Sequence, residues 1–195
     1  MVRDTRFADY EGEIMSRLPC VNPADAPAPV REALQAALPL NFFRVMANAE
    51  TAFPDWMRWG GTLLKDLALD PLLREIAILR VARLSDVQYE WVQHAPIARS
   101  VGATDEMVHA LGRDEIEADC FSPDQRIVLQ FTTEVVRDVR PSDETATALT
   151  GLLSPREVVE LLMVIGQYMM IARVAAATDL EIDKPMGAGV YGAGG

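Results

Sequence analysis

Residues 158–177, VVELLMVIGQYMMIARVAAA, form an apolar stretch long enough to cross a lipid bilayer. No other feature limits the possible architectures of this chain so strongly. Either the stretch lies in a membrane, or the rest of the chain builds a core around it. Glu160, Gln167 and Arg173 interrupt it, and polar groups at such places are costly in hydrocarbon. Ser154-Pro155-Arg156-Glu157 opens it as an ordinary helix, with a serine cap and proline at the first helical position. The stretch therefore reads as the central core helix of a folded domain. Half of the 195 residues are apolar, enough to enclose such a helix.

Helical spacing recurs through the remainder, and strand-like alternation is nearly absent. The spacing predicts helices over 30–38, 41–50, 51–67, 69–84, 85–101, 104–112, 122–139, 142–153 and 154–178. Three of them open with Asp70-Pro71, Ser122-Pro123 or Ser154-Pro155, a repeated start signal. Ser85 or Asp86 is the expected cap of the fifth helix, which carries Pro96 and ends at Gly102. LLREIAILRVARL (72–84) and SPREVVELLMVIG (154–166) both place Arg-Glu before an apolar run, which suggests two related helical halves. The expected organisation is an N-terminal arm (1–27), a helical domain (28–180) and a flexible Gly-rich tail (181–195).

Lys plus Arg number 18 and Asp plus Glu 29, a net charge of −11, which argues against a nucleic-acid partner. The N-terminus, MVRDTRFADYEGEIMSRLPC, is too charged for a signal peptide, so a cytoplasmic protein without a membrane partner is expected. Cys20 and Cys120 stand 100 positions apart and form no Cys-x-x-Cys pair. No phosphate-cradling glycine motif and no nucleophile elbow occurs.

One stretch, VQYEWVQH (87–94), holds one of only two histidines. On a helix, Glu90 and His94 share a face. In the preceding helix Glu75 lies on a stripe with Ile78, Leu79 and Ala82, so its carboxylate is expected to be buried. A short connection makes these two helices antiparallel neighbours, which lets Glu75 meet His94. A buried carboxylate opposite an imidazole suits proton transfer near neutral pH, although the same pair also occurs as a satisfied polar core contact. Tyr89 and Trp91 are candidates to shape the pocket, and Arg80 or Arg83 to bind a substrate carboxylate, unless they form only salt bridges. His109 reads as a surface or packing residue. Glu and His are metal ligands, but no HxxxH or HExxH spacing occurs, and neither metal nor cofactor is expected.

LREIAILRVARLSDVQYEWVQHAPIARSVGATDEMVHAL (73–111), with 39–64 and 158–174, resembles the carboxymuconolactone decarboxylase and alkylhydroperoxidase D-like superfamily. The peroxidase branch carries Cys-x-x-Cys-x-x-x-His after a glutamate one helix earlier. Its histidine matches His94 and its glutamate Glu75, but its two cysteines fall on Val87 and Glu90. Without those thiols the dithiol reduction of peroxides has no nucleophile. The resemblance implies an all-α helical bundle, a homo-oligomer (trimer, hexamer or dimer) and catalysis without a cofactor. It points to a decarboxylase-like lyase or isomerase acting on a small carboxylate or lactone, such as one from aromatic catabolism, with His94, Glu75 and Glu90 catalytic. The alternatives are a peroxidase-like antioxidant protein using Cys20 or Cys120, and a non-catalytic ligand-binding scaffold.

Overall fold

The computed structural model describes residues 16–186. Within them the chain forms nine α-helices and no strand: α1 (Ala28–Ala36), α2 (Asn41–Met46), α3 (Phe53–Lys65), α4 (Pro71–Ser85), α5 (Gln88–Ser100), α6 (Asp105–Gly112), α7 (Pro123–Asp138), α8 (Asp143–Leu152) and α9 (Pro155–Thr178). The proline-led starts act as expected. Asp70 accepts from the backbone N–H of Leu72 and Leu73, and Ser122 and Ser154 form full capping boxes with Gln125 and Glu157. Each such cap contributes about 1 kcal/mol.

Helix ends follow a second rule. At the end of α5, Gly102 takes φ 110°, with Gly102 N–H on Arg99 O and Ala103 N–H on Ala98 O. The same pair of bonds closes α4, α6 and α9, with Asp86, Asp114 and Asp179 in the left-handed conformation. This corrects one expectation. Asp86 is the terminator of α4 and not the cap of α5, which starts after Val87 without a side-chain cap. The link between the two helices is too short for one aspartate to do both. α5 runs as helix through Pro96.

The enclosed helix is α4 rather than α9. Every residue from Arg74 to Ala82 is buried, because α5, α6, α7 and α9 pack around α4. α9 lies across one side of it and keeps an outward apolar face, with Val159, Leu162 and Met163 exposed. One core joins α4, α7 and α9 through Ile78, Val81, Val128, Leu161 and Ile165. A second joins α4, α5 and α6 through Ile76, Leu79, Ala98 and Leu111. The Arg-Glu echo also diverges in space: Glu75 is buried inside the bundle, whereas Glu157 completes the capping box of α9.

Two expected boundaries shift. Residues 16–27 are not simply an arm. Arg17 N–H and Ser16 Oγ bond to Thr178 O at the end of α9, and Ala26 enters the core of α1 and α3. Nor is the tail loose from residue 181, since Leu180 and Asp183 are buried. Residues 1–15 of the expected arm and 187–195 of the expected tail lie outside the described residues.

Candidate active site

α4 and α5 run side by side, joined only by Asp86 and Val87, and this brings the fully buried Glu75 to His94. Glu75 Oε2 lies 2.8 Å from His94 Nδ1. Its other oxygen, Oε1, accepts from Arg74 Nε at 3.2 Å, and Arg74 is itself buried. A carboxylate beside a guanidinium is the acceptor in this arrangement, so His94 Nδ1 carries the hydrogen. In the neutral ring Nε2 is then the basic nitrogen, and it makes no hydrogen bond among the described residues. The ring of Tyr168, from α9, meets the imidazole edge-to-face at 4.7 Å and 86° and holds its plane. His94 remains 8% exposed, which leaves it reachable.

Glu90 lies one helical turn before His94 and is 2% exposed. Neither of its carboxylate oxygens has a hydrogen-bond partner. Burial without compensation disfavours the charged form and pushes its pKa up to about 7. The site thus combines a histidine oriented by a carboxylate with a buried carboxyl group one helical turn away.

The other three candidates are engaged elsewhere. Tyr89 donates its hydroxyl to Asp183 Oδ2 and accepts from Phe42 N–H at 3.3 Å. Trp91 packs toward α6 beside Gly112, within the second core. Arg80 is 2% exposed, not on the surface; its Nε donates to Thr133 Oγ1 at 2.8 Å and its Nη1 pairs with Asp114. A guanidinium so held ties α4 to α7 and to the end of α6, and is not available to a substrate. Arg83 donates to Gly112 O at 3.0 Å. His109 is exposed, as expected.

Sequence reasoning missed Arg74, Tyr168 and the clasp formed by Gln93. Gln93 Nε2 donates to Asp183 O and Lys184 O, and its Oε1 accepts from Met186 N–H. Asp183 also accepts from Asn41 N–H at 2.8 Å. Arg74 could have been found, since it adjoins Glu75. Nothing in the tail sequence signals that Asp183 is buried. Among the described residues no three His, Cys, Asp or Glu side chains group as a metal-ligand set. Both cysteines are free and partly buried, and burial raises the pKa of each thiol. Two surface concavities, of about 610 and 170 Å3, flank α9, and neither is lined by Glu75, Glu90 or His94.

With this geometry in place, the chain can be compared with known proteins. Residues 50–134, which hold Glu75, Glu90 and His94, match the model of the carboxymuconolactone decarboxylase family. Similar solved structures include the alkylhydroperoxidase AhpD core of an uncharacterized peroxidase-related protein from Ralstonia eutropha JMP134. It is 19% identical, with a TM-score of 0.77 over 88% of this chain and 94% of that one. An uncharacterized peroxidase-related protein from Silicibacter sp. TM1040 is 20% identical, with a TM-score of 0.73 over 87% and 92%. A protein of unknown function from Agrobacterium tumefaciens gives 17% identity and a TM-score of 0.64 over 71% and 95%. No curated protein matches. The matched span is less than half of the chain, and the likeness to these structures shows the fold: an all-α AhpD-like bundle.

Proposed function

We propose that this protein is an acid–base enzyme, a decarboxylase-like lyase or an isomerase, acting on a small carboxylate or lactone. The observation that carries the reading is the buried Glu75–His94 hydrogen bond of 2.8 Å, which leaves Nε2 of the ring unengaged. In this reading Nε2 takes the proton from a carbon next to a carbonyl, and the C–H electron pair passes into an enolate. The Glu75 carboxylate stabilises the imidazolium that forms, and Arg74 keeps that carboxylate oriented. The imidazolium then returns the proton at a second carbon, which completes an isomerisation; in a decarboxylation the enolate forms instead from the C–C electron pair released as carbon dioxide departs, and a His94 imidazolium protonated from solvent delivers the proton to that carbon. Glu90 is the second proton-transfer group, since a pKa near 7 makes both its forms available. The reaction places no demand on a thiol or a cofactor.

The test is hydrogen–deuterium exchange at carbon, followed by NMR, across a panel of lactones and keto acids. We expect exchange or turnover by the wild type and a fall of about 10²–10⁴-fold in His94→Gln, the usual weight of a general base. Full turnover by His94→Gln on a confirmed substrate sinks the reading.

A second reading, a peroxidase-like antioxidant protein, draws on the structural relatives described as peroxidase-related. It requires Cys20 or Cys120 to act as nucleophile although burial holds both as thiols. Peroxide turnover that disappears on alkylation would favour it over the lyase. Ligand binding without conversion would favour a scaffold.

A further inference from the structure

A substrate that meets both Nε2 of His94 and the carboxyl of Glu90 has to reach residues that are 8% and 2% exposed, and neither concavity beside α9 is lined by them. A neighbour must move, and the surface of α5 shows which. At about 100° per residue, the order around this helix is Tyr89, Gln93, Glu90, His94 and then Ala98. Ala98 belongs to the core shared with α4 and α6, so that side is closed. Beyond Tyr89 the helix turns to solvent, with Val92 half-buried and Arg99 exposed. On α5 the stripe of Tyr89 and Gln93 thus separates the site from the open surface, and the segment 180–186 is bonded across that stripe.

The segment is seated shallowly. Leu180 and Asp183 are buried, whereas Glu181, Ile182, Lys184 and Pro185 are exposed. Asp183 Oδ2 accepts from Tyr89 Oη and from Asn41 N–H, and the Gln93 amide bonds to Asp183 O, Lys184 O and Met186 N–H. A hollow of about 170 Å3, walled by Leu180 and Ile182 together with Val87, Tyr89 and Ala175, adjoins it. Bonds from one side chain to a largely exposed backbone exchange readily for bonds to water, so such a segment opens locally without unfolding the helices beneath it. We propose that residues 180–186 are a strap that closes the Glu90–His94 site, and that substrate enters beneath it when Gln93 and Tyr89 release it. The purpose of closure rests on the acid–base function proposed above: a covered site keeps water from an enolate and holds the substrate against His94.

The experiment measures access to His94 and needs no substrate. In full-length His109→Gln, His94 is the sole histidine, and diethyl pyrocarbonate acylates its unengaged Nε2. The rate is followed by ultraviolet absorbance, with circular dichroism to verify the fold. Adding Gln93→Ala removes the clasp and should raise the rate about 10-fold or more, the factor expected from losing its bonds to the strap. Tyr89→Phe, which takes one donor from Asp183 and keeps the ring, should raise it as well. Alkylation of Cys120, which packs in the core of α4, α5 and α6, should keep its rate, because only the strap has opened. An acylation rate unchanged in both variants, or a rise matched at Cys120, overturns the proposal. Deuterium exchange at carbon is scored separately. Faster acylation with no exchange by the wild type supports the strap and sinks the acid–base function, whereas exchange with unchanged acylation overturns the strap alone.

Discussion

Glu90 is the residue at which stability and proposed chemistry pull in opposite directions. Unfolded, it ionises near 4.5; folded, near 7. The folded state therefore holds a proton that the unfolded state releases, and this favours folding only at low pH. The contribution is complete below about 4.5 and is lost as pH rises through about 7. A gap of that size is worth on the order of 3 kcal/mol for a group this buried. Urea unfolding should show wild type and Glu90→Gln diverging across this window, with the variant the more stable at pH 8. Parallel pH curves would mean the carboxyl is hydrated in solution. At His94 the expectation concerns the tautomer. Long-range 15N correlation should find Nδ1 protonated in the neutral wild type, and a tautomer mixture in Glu75→Gln, whose amide can donate as well as accept.

Among the elements, the C-terminal segment 180–186 depends most on a few bonds. Tyr89, Gln93 and Asn41 hold it against α5, and Asp183 is buried where these bonds converge. Burial raises the pKa of Asp183, the donors opposing it, so the segment is held by acceptance of hydrogen bonds and not by an ion pair. Tyr89→Phe removes one donor and should cost about 1–3 kcal/mol. Hydrogen exchange is the discriminating readout. Amide protection should fall at Met186, whose N–H bonds to Gln93, before it falls in α5. Equal loss in both would mean that segment and helix unfold as one unit. At the helix ends, Gly102→Ala forces a side chain into φ 110° and should lower the thermal midpoint measurably, whereas Gly151→Ala, in open space inside α8, should raise it.

For the whole molecule, α4 is the organising element, since four helices close around it. Its amides from Ile76 to Val81 should exchange only through global unfolding, and Ile78→Ala should cost about 2–5 kcal/mol. The all-helical architecture was legible beforehand because caps, prolines and apolar spacing are local signals. Asp70-Pro71, Ser122-Pro123 and Ser154-Pro155 start helices wherever the chain is placed. The meeting of Glu75 with His94 was legible for a related reason: periodicity placed each on a face, and a short link made the helices neighbours.

Periodicity could not assign depth. α9 looked like the centre because it is the most apolar segment, yet α4, which carries three Arg, one Glu and a serine, is the enclosed one. Burial is a property of how many neighbours surround a helix, and hydropathy along one segment does not count them. The same limit explains Arg80, whose pairing partners Asp114 and Thr133 are 34 and 53 positions away, and Asp183, which meets Tyr89 across 94. Local chemistry thus wrote the helices, their ends and the Glu75–His94 pairing into the chain. Which helix is enclosed, which arginine is engaged and what covers α5 arose only when distant segments packed, because those outcomes depend on contacts that no local pattern encodes.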